Sequence, residues 1–376
     1  MERAVHSGTL SDVVFARAVH DDDADIRALL RRVPMRGDLQ MGFGREPSCF
    51  ACPEPAGCAE RLLVARRDGR LVGVGAWTVR EAWLGGQRSR VGYLHGLRLE
   101  PGLKGSLRVL REGYAFLATE IQGVDASLWF TSIDAANTRA RRVLESRLTG
   151  LPHYTAAADY LTRVFAVPAR AGARARCGTG SGIGRGIGSR EEITDFLNRE
   201  AARHDLALTW DDARWQALER SGYSEKDVVV VLDGGDLVAV AGVWDQRAWR
   251  QVIIHGYPRW MRIARPLYDR VGSLFGWPPL PKVGKAAPLG QIFPFAVAEG
   301  CEDALPRLMR GVEAVARRRG IDWLALGLDA TAPLWRFMKS SAVSYPTVFY
   351  QVHGNGFPPM GAQTLARPIR PECATL

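Results

Sequence analysis

The chain has 376 residues, enough for two domains of ordinary size, each with its own core. Hydrophobic residues make up 47% and charged residues 24%, the balance of a globular protein, and no apolar run approaches a membrane span. The net charge of +10 rests on 50 basic residues, of which only five are Lys; they are scattered along the chain, which fits the Arg-for-Lys bias of a GC-rich genome better than a nucleic-acid surface.

The residual positive field still favours an anionic cofactor. The segment from Met1 to Thr9 lacks the long apolar stretch of a signal peptide, so the expected location is cytoplasmic, with no membrane span and no nucleic-acid partner.

Val13 to Val19 reads as a strand, and Asp21 to Val33 as a helix with acids at its N-terminal end and apolar residues at helical spacing. Pro34 to Gly44 reads as a loop, followed by a short helix around Ser48 to Ala51. The spacing of Cys49, Cys52 and Cys58 invites a metal site, but the second clean ligand pair of a zinc site is missing, and Cys49 and Cys52 read as small packing residues. No metal is expected. Leu62 to Arg66 and Leu71 to Val79 form a hairpin about Asp68 and Gly69. The strand Val91 to Leu99 then runs through a Pro101 to Gly105 turn into a helix over Ser106 to Ile121. A strand over Ser127 to Ile133, a helix over Asn137 to Arg147 and a closing strand over Tyr160 to Val167 complete this half.

The alternating glycines from Gly178 to Gly188 lack the spacing of a nucleotide-binding loop and read as a flexible interdomain linker. Ser189 to Glu192 is a capping box that starts a helix through about Ala202. Val228 to Leu232 pairs with Leu237 to Trp244 across a turn. After a Pro-rich loop from Trp277 to Pro288 come a strand over Gln291 to Val297, a helix over Asp303 to Arg319, a strand over Trp323 to Leu328 and a closing strand over Thr347 to Val352. The halves share element order at comparable spacing. The expected organisation is a first domain over 1–167, a linker over 168–188, a degenerate second copy over 189–356 and a tail over 357–376.

A strand that turns through glycine into a helix start exposes unpaired N–H groups at the positive end of a helix dipole, so Leu103, Lys104, Gly105, Ser106, Leu107 and Arg108 form a candidate phosphate or pyrophosphate site. Period-two alternation places Tyr93, His95, Leu97 and Leu99 on one face and Glu100 on the other. A neutral His95 is suited to deprotonate an ammonium, with Tyr93 beside it; the alternative is that both are core packing. Asn137 caps a helix or flanks a ligand. Trp244, Asp245 and Gln246 end a strand, where they either line a substrate pocket between the halves or form a turn with Asp245 as its cap; His255 and Tyr257 are equally open.

The turn with Pro101, Lys104 and Gly105, inside this element order, resembles the core of the Gcn5-related N-acetyltransferases, the GNAT superfamily. The resemblance covers about residues 12–165 and, more weakly, 189–353. Arg45 to Pro47, Val91 to Leu94 with Leu97 and Arg98, Thr131 to Ile133, Asn137 with Ala140 to Glu145, Gly150 to Pro152 and Trp244 to Gln246 are similar to a group of bacterial tandem GNAT proteins. The resemblance implies an α/β fold with a mixed α+β sheet, duplicated in tandem, and acetyl-CoA or another acyl-CoA as co-substrate. It implies pyrophosphate at the turn, a thioester carbonyl polarised by backbone near Leu97 to Leu99, and a pantetheine arm flanked by Asn137.

Three departures stand out. Leu107 and Val109 occupy places that the family fills with Gly or Ala, Tyr93 stands where many members carry a Glu base, and Leu144 stands at the place of a Tyr acid, leaving Tyr154, Tyr160 or no acid. The expected activity is acyl transfer to an amine of a small metabolite or peptide, from CoA or an acyl carrier protein. A fatty-acyl transferase of specialised metabolism and a non-catalytic acyl-CoA-binding or protein-binding module are the alternatives.

Overall fold

The computed structural model describes residues 13–34, 39–51, 60–169, 189–359 and 365–376. The glycine run from Gly178 to Gly188, Cys52 and Cys58 lie outside the described residues.

The first half opens with β1 (Val13–Arg17) and, after a 3-10 turn, α1 (Asp23–Arg32), whose Asp23 and Asp25 sit at the positive end of the helix while Ile26 and Leu29 are buried. Then come β2 (Gln40–Gly44), β3 (Arg61–Arg67), β4 (Arg70–Leu84) and β5 (Gln87–Leu99). Two tight turns make this a long meander: Asp68 and Gly69 have φ of 51° and 76°, and Gly85 and Gly86 have 60° and 83°, the left-handed pairs that two-residue hairpins require. Helix α2 (Ser106–Glu120), β6 (Leu128–Asp134), α3 (Thr138–Glu145) and β7 (His153–Ala166) follow.

The second half contains α4 (Arg190–Ala201), α5 (Asp212–Arg220), β8 (Val228–Asp233), β9 (Asp236–Trp244), β10 (Gln251–Gly256), α6 (Arg259–Phe275), β11 (Leu289–Val297), α7 (Leu305–Arg318), β12 (Trp323–Asp329) and β13 (Val343–His353). Ser189 and Glu192 form the expected reciprocal capping box on α4. Four local expectations need correction. Gln40 to Gly44 is a strand, not a loop, because β10 supplies its antiparallel partner. Ser48 to Ala51 is a turn closed by a 3.2 Å bond from Ala51 N–H to Ser48 C=O, not a helix. Helices α5 and α6 were not anticipated, and α6 contains Pro266.

Among the described residues the main sheet has 11 strands in the order β1-β3-β4-β5-β6-β13-β7-β12-β11-β9-β8. Each half therefore does not close on its own last strand. β13 lies antiparallel to β6 of the first half, β7 lies antiparallel to β12 of the second, and β7 and β13 pair with each other from Val343 opposite Val164 to His353 opposite His153. The exchange removes two sheet edges and fuses the halves through backbone hydrogen bonds. One core cluster draws on both: Tyr93 and Phe130 pack with Tyr160, Phe349 and Leu206, and Ile369 joins them. The expected tail is accordingly part of the core, where Asp205 accepts N–H groups of Ala366 and Arg367 at 2.8 and 2.9 Å.

Candidate active site

Parallel pairing of β5 with β6 runs only from Val91 opposite Leu128 to Leu94 opposite Thr131, although β5 continues to Leu99 and β6 to Asp134. The Thr131 hydroxyl closes the last rung on the Leu94 carbonyl at 2.7 Å. Beyond it the strands diverge. The cause lies partly in β5, where His95 opposes Ala76 and Arg98 opposes Val74, so β5 carries one extra residue at Gly96, whose φ is +68°.

This bulge overturns the expected alternation. Tyr93 and His95 share a face, but the next side chain in phase with them is Arg98, so Leu97 and Leu99 belong to the opposite face. Leu99 packs there with the buried Val109 and Phe116.

The divergence opens into a cavity of about 1110 Å³. Its wall at the splay includes Leu97, Leu99, Leu103, Ser106, Leu107 and Asn137. Helix α2 begins there with Gly105 as N-cap at φ 72°, a residue with no side chain to cap the first N–H groups. Asn137 caps α3 by accepting the Ala140 N–H at 3.2 Å. Of the two bulky residues in the turn, Val109 is buried against Phe15 and Phe116, and Leu107 is half-exposed. Lys104, Gly105 and Arg108 are not on the cavity wall. Lys104 lines a separate groove with Arg67 and Arg70, and Arg108 donates to Glu112 at 2.6 Å.

At the centre of the cavity His95 stacks on Tyr93, with ring centroids 4.8 Å apart and planes 14° from parallel. Its Nδ1 lies 3.6 Å from Glu60 Oε1, and its Nε2 is buried without a hydrogen-bond partner among the described residues. Burial lowers the imidazole pKa to about 4, against the opposing pull of Glu60, so His95 is neutral at pH 7 with one ring nitrogen open to a ligand. Glu60 is desolvated too, yet Arg45, which donates to it at 2.8 Å, and His95 hold its carboxyl below the ordinary range. Tyr93 is a platform more than a reactant: burial raises its pKa, Ser132 bonds its hydroxyl at 2.9 Å, and Arg80 stacks 5.0 Å from its ring centroid.

The far walls come from the other half: Arg250 after β9, Tyr257 and the inner side of α6 with Met261 and Tyr268, and Trp323 of β12. Tyr154 and Tyr160 also line the cavity, and burial raises both phenols well above their ordinary pKa. Leu144 is buried in α3. Trp244, Asp245 and Gln246 do not reach the cavity. Trp244 is fully buried and donates to the Ser221 hydroxyl at 2.9 Å, Asp245 accepts the Arg247 N–H at 3.1 Å, and Gln246 donates to the Ala374 carbonyl at 2.8 Å. Cys49 lies at the cavity wall with its thiol pushed up to about 12 by burial. Glu60 and Arg250 escaped sequence reading because Arg45, Glu60, His95 and Arg250 come from four separate segments with no spacing signal.

The second half has a matching divergence, since β11 and β12 pair only from Leu289 opposite Trp323 to Gln291 opposite Ala325. Here the gap is filled. The 3-10 turn Cys373–Thr375 packs against both strands, and the Cys373 thiol lies 3.5 Å from Gln291 Oε1. The start of α7 is acidic, with Glu302 and Asp303 in the preceding turn, which disfavours an anionic ligand.

No protein-family model and no curated protein matches the sequence. Solved structures do match. Saccharomyces cerevisiae N-myristoyltransferase with bound myristoyl-CoA is similar over 92% of this chain and 84% of its own, at 10% identity and a TM-score of 0.54. A GCN5-related glucosamine N-acetyltransferase region of a fungal multi-domain β-N-acetylglucosaminidase is similar over 91% of this chain and 38% of its own, at 13% identity and a TM-score of 0.50. A GCN5-related N-acetyltransferase from Anabaena variabilis is similar over 77% of this chain and 62% of its own, at 12% identity and a TM-score of 0.40. This chain thus spans less than two thirds of the latter two. The chain has a GNAT fold, as the turn and the element order led us to expect.

Proposed function

We propose that the protein is an acyl-CoA-dependent N-acyltransferase that uses a long-chain acyl donor, bound by the first half, and an amine of a small metabolite or peptide as acceptor. The observation that carries this reading is the continuous cavity that joins the uncapped start of α2 and the β5–β6 splay to His95. At about 1110 Å³ it is larger than the roughly 300–1,000 Å³ of ordinary small-molecule pockets. Its lining of Ile26, Leu30, Phe43, Phe116 and Met261 offers an acyl chain far more apolar surface than an acetyl group needs. The similar yeast enzyme is described with myristoyl-CoA, which agrees with a long acyl donor.

In this reading Ser106 and Leu107 at the start of α2 hold the pyrophosphate through backbone N–H groups and the helix dipole. The pantetheine arm passes through the splay beside Leu97, Leu99, Leu103 and Asn137. β5 beyond Leu94 has no β6 partner, so its edge N–H groups are placed to polarise the thioester carbonyl. The amine nitrogen attacks that carbonyl, a C–N bond forms as the C–S bond breaks, and the CoA sulfur leaves with the electron pair.

The proton lost by the nitrogen passes to His95 Nε2. A pKa near 4 makes His95 alone a weak acceptor, and the ionised Glu60 beside Nδ1 stabilises the imidazolium that forms. Tyr154 and Tyr160 are candidates to return a proton to the thiolate.

The filled β11–β12 gap supports a second half that shapes the acceptor side without binding a donor of its own. The test is thermal shift and native mass spectrometry with a ladder of acyl-CoAs from acetyl to palmitoyl, followed by transfer assays on an amine panel. Stabilisation should rise with chain length. No stabilisation by any thioester would defeat the proposal, and binding without turnover would make the protein an acyl-CoA-binding module.

A further inference from the structure

Helix α6 carries a second apolar face that, Trp260 apart, the cavity does not use. Met261, Arg265 and Tyr268 turn to the cavity wall, whereas Trp260, Ile263, Leu267 and Leu274 are 66%, 81%, 66% and 78% exposed. At about 100° per residue these four fall within an arc of about 60°, and they span roughly 21 Å along the axis. Arg259 and Arg270, about 70° and 50° from the middle of that arc, are exposed on its flank. Arg265 and Tyr257 donate to the carbonyls of Leu280 and Pro281 at 2.8 and 2.6 Å, which ties the following loop to the cavity side of the helix. The one acid of the helix, Asp269, lies 3.5 Å from Arg265. Among the described residues no helix is long and apolar enough to cross a membrane.

We propose that α6 docks the protein on an anionic lipid bilayer. The helix lies in the interfacial plane, with Ile263, Leu267 and Leu274 among the acyl chains and Arg259 and Arg270 at the headgroup phosphates. Charge decides the occupant. A basic flank beside an apolar stripe complements an anionic surface. A second copy joined about a two-fold axis would instead bring like arginines together. Trp260 belongs both to the exposed face and to the cavity wall, so apolar surface runs unbroken from the acyl pocket to the bilayer. A long-chain amide could leave along that path without crossing water, a consequence that rests on the transferase reading; the docking itself does not.

The experiment is flotation of the full chain, without acyl-CoA, with vesicles of phosphatidylcholine alone or mixed with phosphatidylglycerol. The protein should float with the anionic vesicles, far less with the neutral ones, and less as salt is raised. The combined Ile263→Ser, Leu267→Ser, Leu274→Ser variant should lose association by about tenfold or more, with an unchanged circular dichroism spectrum and unchanged acyl-CoA binding. Arg259→Glu with Arg270→Glu should lose the preference for anionic lipid. Absence of flotation, or equal flotation of the serine variant, would overturn docking. A concentration-dependent dimer abolished by the serine variant would also overturn it and assign the face to a second copy. Acyl-CoA binding on the same samples keeps failure of docking separate from failure of the transferase reading.

Discussion

His95 sits where desolvation and charge oppose each other, and burial wins. Replacing it with Gln should lower the transfer rate at pH 7 by about 10²–10⁴-fold, the usual contribution of a general base, with a smaller change in acyl-CoA affinity. The same residue has a signature in stability. Its folded pKa of about 4 lies below the ordinary 6.5, so between those values the unfolded chain takes up a proton that the folded chain refuses. Stability conferred by neutral His95 is full above pH 6.5 and falls as the pH drops toward 4, by up to about 1.4 kcal/mol per unit. Urea melts of the protein and of His95→Gln at matched pH isolate this slope, because His204, also lowered to about 4, and Glu372, raised to about 7, act equally in both. Equal pH dependence of the two would show that His95 is not desolvated in this way. A residue without chemistry matters as much nearby: a Cβ on Gly92 would fall 2.3 Å from the Trp129 ring, so Gly92→Ala should destabilise by about 1–3 kcal/mol in the same melts.

At the scale of elements, the start of α2 is the sharpest test of the donor site. Gly105 has φ 72°, and a Cβ there would meet nothing within 4 Å, so conformation and charge are the main penalties. Asn tolerates that conformation and should preserve acyl-CoA affinity, whereas Gly105→Glu sets a carboxylate against the pyrophosphate and should weaken binding about tenfold or more by calorimetry. Equal affinities would displace the phosphate from this turn. Turns and caps such as Asp68-Gly69, Gly105, Asn137 and Ser189 were legible because each depends on a few adjacent residues. β2 and α6 were not. β2 is a strand only because β10 lies beside it, and α6 turns one face to the cavity while leaving apolar residues exposed on another.

At the scale of the whole molecule, the exchange of β7 and β13 makes each half depend on the other. Residues 1–168 expressed alone lack the strand that covers β6, and residues 189–376 lack the strand that covers β12. Each should fail to give a cooperative thermal transition, and co-expression should restore one complex with a native circular dichroism spectrum. A folded, monomeric N-terminal fragment would contradict this dependence.

The sequence by itself determined the glycine turn at α2, most of the strands and helices around it and the placing of His95 on a central strand, because local periodicity and turn chemistry depend on neighbours in the chain. Tertiary structure alone decided which strand closes which half and where the bulge at Gly96 reverses the faces of β5. It also decided that Glu60 and Arg45 reach His95, that Trp244 to Gln246 turn away from the cavity, and that the Cys373–Thr375 turn packs where β11 and β12 diverge. These depend on contacts between residues distant in sequence, whose energies come from burial and pairing that no local pattern records.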